Sequence, residues 1–343
     1  MKTPQVYIII LNWNGLNDTL ECLESVYKLD YSNFKVVVVD NGSSDNCPEI
    51  IYKRYPKIKL IKNEGNYGYT GGNNIGMRYA LGENADYVWL LNNDTVVYPD
   101  CLSKIIETAE SSKKIGLVSP MIYYFESPDQ CQFAGSCIDW GLFTVMYPET
   151  NDLVRNEYQR GENVCLWGTA LLIKRKLIEK IGLLKEGYFA YYEDTEYSLR
   201  SLVNNFKNVV CIEARVLHKG QMQFTVSRMK RKNYYIRRNV VLLGNEYIKD
   251  SVARLKFKVR SLATAADLVN RFPGDYEDAY LDGTWHGLKS VTGPMTSDRN
   301  MPIFLKRTLK ILSKYHPMFI SDIITFDFSM IWRKVKNKLK IVE

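Results

Sequence analysis

Apolar residues come in short unbroken runs over the first hundred positions, and between the runs they recur at helical spacing. Val6–Leu11 is a continuous apolar run, the pattern of a strand buried on both faces. A polar loop, Asn12-Trp13-Asn14-Gly15, leads into a helical stretch from about Asp18 to Tyr27. Phe34–Val39 is a second such strand ending at Asp40, and Asn41-Gly42-Ser43-Ser44-Asp45 supplies turn formers and N-caps. A third strand is expected at Ile58–Lys62, a glycine-rich loop at Asn63–Gly72, a helix near Asn73–Leu81, and a fourth strand at Tyr87–Leu91 that runs out on Asn92-Asn93-Asp94. Repeated strand–loop–helix units predict a mostly parallel sheet with helices on both faces.

Past Thr95 the pattern is mixed. Strand-like pieces are expected at Gly116–Pro120 and Cys165–Ile173, and short helices at Arg175–Ile181 (stopped by Gly182) and Asp194–Asn204. From about Val226 the chain reads as helical, and Ile331–Val342 as a basic amphipathic helix.

Charge divides the chain in two. The net charge is +8, yet residues 1–218 hold 22 Lys/Arg against 27 Asp/Glu, and residues 219–343 hold 24 against 11. The last third therefore carries the excess, with Arg228, Lys230, Arg231, Lys232, Arg237 and Arg238 crowded at its start. Seven cysteines without a C-x-x-C pair exclude a zinc ribbon and a thioredoxin motif, and read as reduced thiols. No apolar run reaches the length of a membrane span, and Val6–Leu11 is too short for a secretory leader, so the expectation is a cytoplasmic protein with at most peripheral membrane contact.

The first strand–helix turn has one glycine beside a bulky Trp13, so it lacks the three-glycine turn of a dinucleotide fold. Gly65, Gly68, Gly71, Gly72 and Gly76 fit neither that fingerprint nor a P-loop. What remains is a row of polar clusters at the C-terminal ends of successive strands: Asn12–Asn14, Asp40–Ser43, Asn66–Asn74 and Asn92–Asp94. Open α/β sheets bind ligands at that edge. Amides and Asp40 suit a base and ribose, a glycine loop opening a helix suits phosphate, and Asp94 suits a hard divalent cation. The combination describes a metal-assisted nucleotide-diphosphate site.

These clusters, with Trp167-Gly168-Thr169-Ala170 and Tyr191-Tyr192-Glu193-Asp194-Thr195-Glu196 plus Arg200, make the sequence resemble family 2 glycosyltransferases of the GT-A fold, most of all bacterial rhamnosyltransferases. The resemblance spans about residues 5–220. It implies a GT-A catalytic domain over 1–225, with a nucleotide-sugar half at 1–100 and an acceptor half at 101–225, and leaves 226–343 as a basic helical extension. It implies an inverting, metal-dependent transfer of a sugar, with dTDP-rhamnose the expected donor, to a glycan or lipid-diphosphate-linked acceptor in bacterial cell-surface polysaccharide synthesis. UDP-glucose, UDP-galactose and N-acetylhexosamine donors are the alternatives. A carbohydrate- or nucleic-acid-binding protein is the competing non-enzyme class, although nucleic acid is not the expected partner.

The roles follow the matched motifs. Asp94 stands at the last position of the family's metal-binding D-x-D, whose first position is Asn92 here, and Mg²⁺ or Mn²⁺ would be held largely by the donor diphosphate. His218 is the second expected metal ligand. Asp194 is expected to be the base that takes the acceptor proton, with Glu193 beside it the alternative. Asn12, Asn14, Asp40, Asn66, Gly71, Gly72, Asn73, Asn92 and Asn93 are assigned to the donor, and Trp167, Gly168, Tyr191 and Tyr192 to the acceptor. Residues 228–238 complete the diphosphate pocket, meet an acidic lipid acceptor, draw the protein to an anionic membrane, or form a solvated helix face. The tail from Trp332 to Lys340 reads as an interfacial helix, worth on the order of 1 kcal/mol per basic residue at such a surface, or as an oligomerisation helix.

Overall fold

The computed structural model describes residues 3–139, 144–146, 164–220 and 225–315; the expected tail helix lies outside them. Two compact units are present. One comprises Met1–Phe224 with Thr292–Pro294, and the other Thr225–Val291 with Met295–Glu343.

The first unit runs β1 (Val6–Asn12), α1 (Leu16–Val26), β2 (Phe34–Asp40), α2 (Cys47–Arg54), β3 (Lys59–Lys62), α3 (Gly68–Gly82), β4 (Tyr87–Asn92), β5 (Thr95–Val97), α4 (Cys101–Glu110), β6 (Ile115–Tyr124), β7 (Cys131–Phe133), β8 (Ser136–Asp139) and β9 (Thr144–Met146). It continues with β10 (Val164–Cys165), β11 (Ala170–Lys174), α5 (Arg175–Ile181), a single 3₁₀ turn at Glu186–Tyr188, α6 (Glu193–Val203) and β12 (Lys207–His218). Nine strands form one sheet in the order β3-β2-β1-β4-β11-β6-β12-β5, with β7 beside β6; β10, β8 and β9 form a second, small sheet. The pairs among β3, β2, β1 and β4 are parallel. Past β4 the sheet mixes directions, because β11 enters antiparallel between β4 and β6.

The unbroken apolar runs are explained by burial on both sides. Val6, Ile8 and Ile10 pack with Leu23 and Val26 of α1, while Tyr7 and Ile9 pack with Met77 and Ala80 of α3. Each such fully buried aliphatic side chain contributes about 1.5–3 kcal/mol. A strand clamped in this way fixes where its polar last residue emerges.

Two boundaries differ from expectation. The helix after β3 begins at Gly68, not Asn73, so Gly71 and Gly72 lie inside it. Its start is set by two distant acceptors and a local one: Asn41 Oδ1 takes the Tyr67 amide and the Phe189 carbonyl the Thr70 amide, while Asn66 Oδ1 takes the Gly68 amide. The run Cys165–Ile173 is not one strand. Side chains of α6 take the amides a strand would use, Ser198 Oγ accepting from Leu166 N and Asp194 Oδ2 from Gly168 N, so residues 166–169 turn between the two sheets.

The second unit holds α7 (Val226–Tyr247), α8 (Ser251–Arg271), α9 (Glu277–Leu288) and α10 (Ile303–Tyr315). Ala265, Val269, Leu281 and Met301 form part of its core. Buried Lys306 is neutralised by Asp278 and Asp282 at 3.0 and 2.8 Å. Among the described residues no helix is long and apolar enough to cross a membrane.

Candidate active site

Two polar groupings stand where strands of the first unit run out, and a third stands at the start of α6. The first is built from the adjacent ends of β1 and β2, where Asn12 is paired in register with Asp40. Asn12 is fully buried. Its Nδ2 donates to Asp40 Oδ1 at 2.7 Å and its Oδ1 accepts from Thr19 Oγ1 at 2.9 Å. Asp40 also accepts from the Ser43 hydroxyl and amide, at 2.6 and 3.0 Å. Ser43 Oγ in turn takes the amide of Asn14, an exposed residue in left-handed conformation (φ 51°). Asn93 reaches into the same network by donating to Thr19 Oγ1 at 3.0 Å. Asn12 is thus spent on organising the edge, while Asn14 and Asn92, whose side-chain amide nitrogens have no hydrogen-bond partner among the described residues, remain available to a ligand.

Asn41 is the hub of the glycine region. Its side chain binds Asn66 Oδ1, the Gly68 carbonyl, Asn63 and the Tyr67 amide. Gly71, Gly72 and Asn73 are buried within α3. A Cβ on Gly72 would stand 2.4 Å from Leu11 Cδ1, and Asn73 Nδ2 bonds back to the Tyr69 carbonyl at 2.9 Å. Gly72 thus serves the close approach of α3 to β1, while Gly71 lies against Tyr67 and protein acceptors take the Tyr67, Gly68 and Thr70 amides at the helix start.

The second grouping joins β5 to β12. His218 pairs with Thr95 in the antiparallel ladder, which carries Asp94 to the imidazole. Asp94 Oδ1 lies 3.3 Å from His218 Nε2, and Gln132 Oε1 lies 2.6 Å from Nδ1. An amide oxygen only accepts, so Nδ1 carries a proton, and Nε2 is the ring nitrogen that faces Asp94. With Nε2 unprotonated, it and Asp94 Oδ1 are two electron-pair donors 3.3 Å apart, an arrangement that fits a divalent metal between them. Among the described residues no group of three or more His, Cys, Asp and Glu side chains is placed to hold one. Lys219 follows directly, its amide bonded to the Asp94 carbonyl and its ammonium held by Asp18 and Glu21 of α1.

The third grouping is the start of α6. Asp194 Oδ2 accepts from Gly168 N at 3.0 Å, and Oδ1 accepts from the Thr195 amide and hydroxyl at 2.6 and 3.3 Å. Glu193 is buried, and its Oε2 has no partner among the described residues. Burial and the neighbouring Asp194 charge push the Glu193 carboxyl well above the ordinary carboxylate range. Burial raises Asp194 as well, but its three hydrogen bonds pull the other way. Of the two, Asp194 is the one equipped to keep its charge.

The approach to this pair is conformationally strained. Phe189, Tyr191 and Tyr192 all have positive φ, at 64°, 67° and 68°. Positive φ at bulky residues is costly and gathers at functional sites. Glu196, wholly buried, accepts from Lys185 at 3.0 Å and Arg200 at 2.8 Å, and Arg200 also caps the carbonyls of Ile181 and Leu183. Trp167 stacks on Phe133 with ring centroids 4.0 Å apart, and the Tyr69 hydroxyl donates to the Gly168 carbonyl at 2.6 Å.

A model of the family described as glycosyl transferase family 2 matches residues 7–182, more than half of the chain. The chain belongs to that family. Among relatives of this glycosyltransferase, a low-salt glycan biosynthesis hexosyltransferase of Haloferax volcanii is 26% identical over 299 residues, 83% of this chain and 92% of that one. An N-acetylglucosaminyl-diphospho-decaprenol L-rhamnosyltransferase of Mycobacterium tuberculosis is 27% identical over 206 residues, covering 53% of this chain and 66% of that one. The fold is shared with a Pyrobaculum calidifontis mannosyltransferase solved with GDP-Man and Mn²⁺, at a TM-score of 0.53 and 16% identity, over 100% of this chain and 89% of that one. It is shared too with GalNAc-T7 solved with UDP, GalNAc and Mn²⁺, at a TM-score of 0.57 and 14% identity, over 84% of this chain and 57% of that one.

Sequence reasoning on this glycosyltransferase passed over Ser43, Asn41, Tyr69 and Gln132. The first three stand inside or beside the motifs, so their signal was present. Gln132 stands alone between Cys131 and Phe133 and carried none.

Proposed function

We propose that the chain transfers a sugar from a nucleoside-diphosphate donor with inversion, Asp194 acting as the base. Dense hydrogen bonding at Asp194 beside the unpartnered acid of Glu193 is the observation that carries the assignment. The acceptor hydroxyl gives its proton to Asp194 while its oxygen attacks the anomeric carbon, and the nucleoside diphosphate leaves from the opposite face. Asp94 and His218 would hold a divalent cation, which when bound supplies positive charge against the leaving diphosphate. Asn14 and Asn92 offer amides to the donor, and Tyr191 and Tyr192 offer rings to the acceptor sugar.

A dTDP-linked deoxyhexose such as rhamnose is the donor proposed first, supported by the decaprenyl-diphosphate-linked rhamnosyltransferase among the relatives. A hexose donor is the second reading, supported by the hexosyltransferase relative that matches over most of its length. A lipid-diphosphate acceptor is supported by the exposed Val252, Leu255 and Val259 of α8, set between basic residues on that helix. The deciding experiment is a thermal-shift panel of dTDP-, UDP- and GDP-sugars with Mn²⁺ or Mg²⁺, since a ligand that binds only the native state raises its melting temperature. One donor should stand out and be slowly hydrolysed without acceptor. No response to any donor would overturn the reading.

A further inference from the structure

The geometry points to Gln132 as the positioning residue that fixes the tautomer of His218 and so turns Nε2 toward the cation, an inference that rests on the metal site proposed above. The ladder between β6 and β7 slips at this point, since Ile122 faces Phe133 and Tyr123 faces Cys131, so Gln132 is the extra residue of a bulge. Bulges re-aim a side chain, often beside an active site. Here the re-aimed amide oxygen meets Nδ1 at 2.6 Å, on an imidazole whose side chain is only 13% exposed. A neutral imidazole left to itself favours the proton on Nε2. In that form Nε2 would donate to Asp94 Oδ1 and offer no lone pair to a metal. Gln132 reverses the preference by accepting from Nδ1, the orienting device that metal-bound histidines generally need. The next residue, Phe133, stacks on Trp167, so one three-residue strand supports both the metal side and the acceptor side of the site.

The test uses the full chain, first without metal. It has three histidines, which keeps its imidazole ¹⁵N spectrum assignable. Wild type should show His218 as the Nδ1–H tautomer, Gln132→Ala should move it toward Nε2–H, and Gln132→Glu, which still accepts from Nδ1, should restore it. Mn²⁺ binding, followed by the electron paramagnetic resonance of the free ion with Mn²⁺ alone and with UDP or dTDP, should weaken ten- to hundredfold in Gln132→Ala and recover in Gln132→Glu. Should Gln132→Ala fail to fold, Gln132→Met, of similar length but with no oxygen acceptor, carries the same expectation. An unchanged tautomer and unchanged Mn²⁺ affinity, in a background where Asp94→Ala does weaken binding, would overturn the positioning role and leave the metal site standing. If neither Asp94→Ala nor His218→Ala alters Mn²⁺ binding, the metal site fails and this role falls with it.

Discussion

The amide of Gly168 donates to Oδ2 of Asp194 at 3.0 Å, tying the turn that carries Trp167 to the first residues of α6. The carbonyl of the same glycine takes the Tyr69 hydroxyl, so one residue bridges α3, the 166–169 turn and the carboxylate pair. A Cβ on Gly168 would stand 2.5 Å from the Tyr69 hydroxyl, and no other residue fits there without displacing it.

Asp194→Asn keeps the shape of the side chain and removes its basicity. Turnover should fall by roughly two to four orders of magnitude, with nucleotide affinity within about threefold of wild type. Glu193→Gln should cost about tenfold or less. Single-turnover transfer and calorimetric nucleotide binding measure both, and a larger loss at Glu193 would exchange the two roles.

Glu193 also makes a stability prediction with a definite sign. Its carboxyl is raised in the folded protein, so the native state binds the proton more tightly than the unfolded chain does. Stability from this group is present below the ordinary carboxylate pKa and is lost as pH rises through the folded value. Glu193→Gln should therefore raise the melting temperature at pH 8 and leave it nearly unchanged at pH 4. Melting curves across that range would refute this if the two proteins ran parallel.

Glycines of the region should separate sharply. Gly72→Ala drives a Cβ against Leu11 and should cost about 1–3 kcal/mol in urea unfolding. Gly65→Ala meets nothing within 4 Å and should be neutral or stabilise by about 0.4–1 kcal/mol. Equal effects would mean that packing against β1 does not set these positions.

Glu196→Ala leaves Arg200 and Lys185 facing a buried site without their acid. The expected loss is about 3–5 kcal/mol, well above that of an exposed pair such as Glu24–Lys28. Urea midpoints of Glu196→Ala and Glu24→Ala, compared with wild type, provide the measure.

Much of the sheet edge was legible because strands buried on both faces announce themselves as unbroken apolar runs, and their polar last residues, Asn12, Asp40 and Asn92, are conspicuous after them. The start of α3 was not legible. Its amides are capped by Asn41 and Phe189, far off in sequence, and a local reading of the glycines stops at a loop. The break after Cys165 was hidden for a similar reason, since Ser198 and Asp194 take the amides from outside the segment. Asp94 stands out through a motif and His218 through its position in the resemblance, but their mutual distance and the place of Gln132 depend on the β5–β12 ladder and the bulge in β7, which no local pattern encodes.

The positive-φ residues Phe189, Tyr191 and Tyr192 limit what this segment can become over time. At each of them the backbone accepts glycine readily, while valine, isoleucine or threonine would meet a steep steric barrier. A random-mutation library selected for activity should thus return a narrow, predictable alphabet at these three codons even where the rings touch nothing essential. Side chains at these positions are free to vary only within that backbone filter, and larger changes of shape are channelled to positions outside it.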